Sequence, residues 1–198
     1  MPCALIFSDI HSDAKALERL MDIEADVYFA AGDLVNWARG LDRMGEIMAR
    51  RAPKMHVLPG NHESAANIEQ FCQRFGFQNF HEKTLAMGGL HFAGLGYSNP
   101  TPFDTPGEYS EEEIAEKLAP FAALKPLALI CHTPPLNTAL DHVREGLHAG
   151  SRAVGEFIAA RQPQYFFCGH IHEAEGLEIQ MGSTVARNVG KRGFLLNF

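Results

Sequence analysis

Five short apolar runs in this chain each end in a cluster of Asp, Asn or His. Cys3–Phe7 leads into Asp9-Ile10-His11, and Val27–Ala31 into Gly32-Asp33. Met55–Leu58 leads into Gly60-Asn61-His62-Glu63, Leu127–Cys131 into His132, and Tyr165–Cys168 into Gly169-His170-Ile171-His172. Runs this short and this apolar read as buried strands. The first three alternate with helical stripes: Ala14, Leu17, Leu20 and Met21 behind a Ser12 cap; Leu41, Met44, Ile47 and Met48; and Ile68, Phe71, Cys72 and Phe75 behind Ser64. Strand alternating with helix is the pattern of parallel βαβ units.

The second half reads differently. Residues 84–87, Gly88-Gly89 and Leu90–Leu95 predict a hairpin. Residues 98–107, rich in Pro, Thr and Asn, predict a long loop. Such loops are often functional, and this one is expected on the rim of a site. Ser110 with Glu113 forms a capping box for a helix through Leu118. After Leu127–Cys131 comes a loop carrying His142, Gly146, His148 and Gly150, then a helix capped by Ser151. The tail from Gly176 predicts short strands broken by glycines.

A chain of 198 residues supports one sizeable core, so one domain over residues 1–198 is expected. No apolar run reaches the length of a membrane span, and Met1-Pro2 enters the first strand with no basic or cleavable leader. The four cysteines show no zinc-ribbon spacing and read as buried reduced thiols. A cytoplasmic protein that meets no membrane is the expectation. Net charge of −7 disfavours a nucleic acid polymer as partner.

Taken singly, each polar cluster is ordinary: a turn, a helix start or a structural histidine. Together, at successive strand ends, they would converge on one face, because ligands of open α/β sheets collect at carboxyl strand ends. Two Asp, one Asn and several of the ten His supply the O and N donors that divalent transition metals take. They are too many for one ion. Two ions sharing a carboxylate fit better, and paired metals suit in-line displacement at phosphorus.

The ordered motifs Asp9-x-His11, Gly32-Asp33, Gly60-Asn61-His62-Glu63, His132 and Gly169-His170-x-His172 resemble those of the calcineurin-like metallophosphoesterase superfamily. His132-Thr133-Pro134-Pro135 resembles its small prokaryotic branch, whose animal relatives have cyclic-nucleotide phosphodiesterase activity. The resemblance implies a four-layer α/β/β/α sandwich with the site at one end. It implies two divalent ions (Mn, Fe or Zn), one on Asp9, His11, Asp33 and His172, the other on Asp33, Asn61, His132 and His170. His62 would be the catalytic group, stabilising or protonating the leaving oxygen, with a metal-activated hydroxide as nucleophile.

One stretch departs from the pattern. Many phosphomonoesterases of the superfamily continue Gly-Asp as GDxVDRG, where this chain has Gly32-Asp33-Leu34-Val35-Asn36-Trp37. The acid that would pair with the histidine is Asn36, and the arginine that would meet phosphate is Trp37. A small phosphate diester or cyclic nucleotide is therefore expected over a monoester, with Asn36 and Trp37 as substrate contacts. His148, ahead of a helix N-terminus, is a third candidate contact, a surface-loop histidine being the plainer alternative. Glu63 is assigned to support of the site. The rival readings are a phosphomonoesterase and a non-catalytic metal-binding scaffold of the same fold, and a homo-oligomer is compatible with each.

Overall fold

The computed structural model describes residues 1–198. The strands are β1 (Cys3–Phe7), β2 (Val27–Ala31), β3 (Met55–Leu58), β4 (Gln78–Asn79), β5 (Lys83–Met87), β6 (Leu90–Leu95), β7 (Leu127–Cys131), β8 (His142–Arg144), β9 (Leu147–His148), β10 (Tyr165–Cys168), β11 (Glu178–Met181), β12 (Thr184–Asn188) and β13 (Phe194–Asn197). The helices are α1 (Ala14–Met21), α2 (Leu41–Met48), α3 (Ala65–Phe75), α4 (Glu111–Leu118) and α5 (Arg152–Arg161). One sheet has the order β13-β1-β2-β3-β4, the other β11-β12-β10-β7-β6-β5, and β8-β9 form a separate hairpin. β1 to β4 run parallel, as do β12, β10, β7 and β6; β13, β11 and β5 are antiparallel edges.

Side-chain alternation along each strand builds the layers. Leu5 and Phe7 of β1, with Tyr28 and Ala30 of β2, pack under Leu17, Leu20, Met44, Ile68 and Phe71 of α1, α2 and α3. The alternate residues Ala4, Ile6, Phe29 and Ala31 meet Phe92, Ala128, Ile130 and Phe167 between the sheets. Leu129, Cys131, Phe166 and Cys168 face the other way, against Ile114, Leu118, Val154 and Ile158 of α4 and α5. These three cores make the four-layer α/β/β/α sandwich. All four cysteines are free thiols.

Three helix starts follow their sequence signals: Ser64 and Ser110 close capping boxes with Asn67 and Glu113, and Ser151 accepts the Val154 N–H. At α1 the cap is Asp13, not Ser12. Ser12 lies in the left-handed region at φ 67°, and Asp13 accepts the Ala16 N–H at 3.0 Å. The segment read as a loop around His142 and His148 is the β8–β9 hairpin, with Gly146 at φ 72° in its turn. Strands this short and exposed lack the apolar alternation that reveals a hairpin in sequence.

The arrangement brings the carboxyl ends of β1, β2 and β3 against those of β7 and β10. His132, just past β7, is wholly buried, and its ring Nδ1–H donates to Ala31 O of β2 at 2.9 Å. His170 N–H, just past β10, donates to the Asp9 carboxylate beyond β1 at 3.0 Å. The polar strand ends thus tie one sheet to the other at a single edge of the sandwich.

Candidate metal centre

The structure gathers all seven proposed ligands and His62 at this edge. Asp9, His11 and His172 form one cluster of donor atoms and Asp33, His132 and His170 a second; a further group, His11, Asp33 and His62, draws one member from each. In the first, His11 Nε2 is 2.9 Å from His172 Nε2, and Asp9 Oδ1 is 3.9 Å and 3.7 Å from those nitrogens. In the second, Asn61 Oδ1 lies 3.3 Å from His132 Nε2 and 3.0 Å from His170 Nδ1. Asp33 Oδ2 is 3.6 Å from His11 Nε2 and 3.4 Å from His132 Nε2, so a single oxygen adjoins both clusters. Ligands about 2.1 Å from a common ion stand roughly 3.0 to 3.4 Å apart. In the second cluster the separations match this range, while in the first Asp9 stands somewhat wide of it; with the mixture of imidazole nitrogens and carboxylate and amide oxygens, the donor set fits two divalent cations sharing Asp33.

Outer contacts orient these donors. His11 Nδ1–H donates to Asn36 Oδ1 at 2.7 Å, which turns Nε2 toward the cluster. His132 is turned likewise by Ala31 O. Asn61 Nδ2 donates to Thr105 Oγ1 at 3.2 Å, which sets its amide so that Oδ1 faces His132 and His170. Ser8 donates its hydroxyl to Asp9, and Asn188 Nδ2 donates to Gly169 O and Ile171 O on either side of His170. Glu63, wholly buried, accepts the N–H groups of Asp33, Val35 and Gly60 at 3.0 to 3.1 Å.

The backbone here is unusual. Asp9, His11, Asp33 and His170 all have φ between 46° and 67°, the left-handed region that non-glycine residues seldom adopt. Four ligands in that state point to a loop cage held by its surroundings. Gly60 is obligatory for another reason: a Cβ there would run into the Asp33 carboxylate. A Cβ on Gly169 would strike the Asp9 carboxylate and the Ser8 hydroxyl.

Charge is unevenly distributed. Burial pulls the His132 pKa down, but the Asp33 carboxylate beside it lifts it to about 9. Burial takes His170 to about 4, with the neighbouring His132 acting in the same direction. Burial, then the Asp33 charge, pushes Glu63 up to about 8, against the pull of its N–H donors. A cation arriving at His132 must displace its proton, so metal binding is coupled to proton release. His62 is lowered, chiefly by burial, with Asp33 acting the other way.

His62 N–H donates to Asp33 Oδ1 at 3.0 Å, and its ring Nδ1 accepts the Trp37 N–H at 3.4 Å. Of the three proposed substrate contacts, Asn36 is engaged with His11. Trp37 lies edge-on to the His62 ring, 5.7 Å between centroids, and is half exposed. His148 lies in a cavity wall, its Nδ1–H donating to Asp141 Oδ1 at 2.7 Å.

Two cavities open on the centre and share His11, His62 and His172 in their walls. The larger, about 560 Å³, extends between the 98–107 loop and the β8–β9 hairpin, as the sequence led us to expect of that loop. The other, about 470 Å³, has only polar residues and Gly190 in its wall, among them Asn36, Glu175 and Lys191. Sequence reading missed Thr105 and Asn188, whose partners lie far along the chain, and also Ser8 and Asp141, whose residue types carry no signal of the contacts they make with Asp9 and His148. No helix is long and apolar enough to cross a membrane.

A family model described as calcineurin-like phosphoesterase matches residues 4–174. An uncharacterised protein of Methanocaldococcus jannaschii is 32% identical over 196 residues, covering 96% of this chain and 88% of the relative. A probable cyclic nucleotide phosphodiesterase of Rhodopseudomonas palustris is 27% identical over 170 residues, covering 80% of this chain and 62% of the relative. Among solved structures, a protein of Thermus thermophilus superposes with a TM-score of 0.69 at 18% identity, covering 96% of this chain and 89% of its own.

Proposed function

We propose, from the premise that this chain belongs to the calcineurin-like phosphoesterase family, that it is a dinuclear metal-dependent hydrolase of small phosphate esters. It acts on diesters, cyclic nucleotides among them, in preference to monoesters. The reading rests on Asp33, whose Oδ2 is 3.6 Å from His11 Nε2 and 3.4 Å from His132 Nε2. Asp9, His11 and His172 would hold one cation, and Asn61, His132 and His170 the other, with Asp33 shared; Mn, Fe and Zn suit this donor set. When bound, such a pair supplies Lewis-acid polarisation of phosphoryl oxygens and lowers the pKa of water.

The chain's own residues supply the remainder. Because the Trp37 N–H occupies His62 Nδ1, the imidazole proton sits on Nε2. From there it can hydrogen-bond a phosphoryl oxygen or the leaving oxygen and stabilise the charge that develops on it. Asn36 and Thr105 keep His11 and Asn61 in register, so the phosphoryl group meets a preformed set of donors.

The preference for diesters rests on charge. The larger cavity has no Lys or Arg in its wall, and Lys191 in the smaller is paired with Asp13 at 3.4 Å. A monoester dianion gains most from a guanidinium clamp, and here that clamp is missing from the cavity walls. The name of the Rhodopseudomonas palustris relative is in keeping with this reading. The test is kcat/KM for bis(p-nitrophenyl) phosphate against p-nitrophenyl phosphate, with one metal and at one pH. A higher value for the diester is expected, and faster monoester hydrolysis overturns the preference.

A further inference from the structure

The larger cavity is two-faced. Its inner end is the cluster of His11, Asp33, Asn61, His62, His170 and His172. Its outer end is formed by Pro100, Pro102 and Phe103 on one side and Val143 and Leu147 on the other. Phe103 is 72% exposed and Leu147 40% exposed, large apolar surfaces left open to water.

These side chains are not on loose loops. Glu108 Oε1 accepts the hydroxyls of Thr101 and Thr105 and the Thr105 N–H, which gathers the 98–107 loop around one carboxylate. Phe103 N–H donates to Thr101 Oγ1 at 3.2 Å. Asn99 joins the two walls: its Oδ1 accepts the Thr133 hydroxyl at 2.8 Å, and its Nδ2 donates to Ala149 O at 3.4 Å. A cleft already fixed in shape loses little entropy when it closes on a flat group.

One polar group is built into this wall. Asp141 is wholly buried and accepts the N–H groups of Asn137, Thr138 and Gly150, in addition to the ring Nδ1–H of His148 at 2.7 Å. With its Nδ1 so committed, His148 presents Nε2 as its remaining hydrogen-bonding atom. No Lys or Arg lines the cavity, and the exposed Glu173 does, so an anionic occupant is disfavoured. The cation Lys191 belongs to the opposite, polar cavity.

We infer that the outer part of this cavity is a subsite for an uncharged aromatic ester arm. The arm lies between Phe103 and Leu147, with His148, oriented by Asp141, as its polar contact. The inference rests on the phosphodiester reading for what joins the arm to phosphorus, while the subsite itself can be probed without turnover. An aryl or nucleobase arm suits it. It has the flat apolar faces that Phe103 can cover and the ring-edge hydrogen-bonding atom that His148 Nε2 can meet.

The experiment has two arms. In the first, Phe103→Ala and Leu147→Ala are assayed with bis(p-nitrophenyl) phosphate, whose arms offer apolar faces but no donor to His148 Nε2. KM should rise about five- to tenfold in each, with kcat within about twofold and metal content unchanged, as for lost uniform binding. In the second, saturation-transfer NMR follows adenosine, with ribose as control, on the metal-loaded protein. Adenosine should receive saturation, ribose should not, and Phe103→Ala, Leu147→Ala and His148→Ala should each diminish the signal. Unchanged KM in both variants, no adenosine signal on the native protein, or an adenosine signal that the substitutions leave undiminished overturns the subsite. If no phosphate ester is hydrolysed but adenosine binds as described, the phosphodiesterase reading falls and the aromatic subsite stands.

Discussion

Glu63 Oε2 accepts the backbone N–H of Asp33 at 3.1 Å, so a wholly buried carboxylate positions the residue that both metal clusters share. The same carboxylate takes Gly60 N–H and Val35 N–H, which fastens the strand ends after β2 and β3 to each other. Replacing it by alanine leaves three buried donors without a partner, each costing about 1–3 kcal/mol. Glu63→Ala should therefore lower the melting temperature sharply and reduce bound metal. Glu63→Gln keeps the shape but sets an NH2 group against a backbone N–H, so it should fall between the two. Calorimetry with elemental analysis checks this. A Glu63→Gln protein with native stability and native metal content would remove Glu63 from the support of Asp33.

The shared oxygen of Asp33 makes a second expectation. Since Oδ2 adjoins His11 on one side and His132 on the other, Asp33→Ala should lose metal from both positions and nearly all activity. Loss of a ligand belonging to one cluster alone, as in His172→Ala, should spare the other position more. Two full metal equivalents retained in Asp33→Ala would refute the bridging assignment.

His62 stands beside His11 and Asp33, its ring edge-on to His11 at 5.4 Å between centroids, but each proposed metal position has its own donors without it, and its N–H to Asp33 Oδ1 belongs to the backbone. Its removal should spare the metals and slow turnover. Donors positioned at developing charge contribute on the order of 100- to 1,000-fold, so His62→Ala should lose about that much kcat at unchanged metal content. The loss should shrink for p-nitrophenolate leaving groups, whose charge is spread over the nitro ring and needs little stabilisation. A variant with near-native kcat on an alkyl ester would show that His62 takes no part.

The strands and the polar clusters that close them could be read from sequence because both depend on local pattern, whereas the four-layer sandwich and the ligand assignments came from the family resemblance. Unbroken apolar runs, buried along nearly their whole length, mark β1, β2, β7 and β10, and each proposed ligand follows its strand within about four residues. What could not be read depends on contacts across the chain. Thr105 looked like an ordinary loop residue, yet it orients Asn61, which is 44 positions away. Asn36 stood out as a missing acid beside His62, and the fold gives its side chain to His11 instead. The β8–β9 hairpin was hidden because its strands are short and exposed, so Asp141 beneath it carried no signal as the partner of His148. The left-handed φ angles of Asp9, His11, Asp33 and His170 were equally invisible, since nothing in those residue types requires them.

The last prediction concerns His81, away from the metal ligands, and the pH dependence of stability. Its ring Nδ1 accepts the Gly96 N–H at 3.1 Å, which requires a lone pair there. Nε2–H then donates to the Tyr109 hydroxyl, and Tyr109 donates to Glu82. This chain of bonds exists only for neutral imidazole. Burial lowers the His81 pKa from its ordinary 6.5 to about 4, against the opposing pull of the Glu82 charge. Between those two values the unfolded chain binds the proton and the folded chain does not. The stabilisation is therefore complete above pH about 6.5 and is lost as pH falls toward about 4. Over that window it amounts to at most on the order of 3 kcal/mol. His81→Gln lowers the melting temperature at pH 7.5 but removes this titration. The drop in melting temperature between pH 7.5 and pH 5 should accordingly be larger for the native protein than for His81→Gln. Equal drops would show that His81 is not held neutral by the fold.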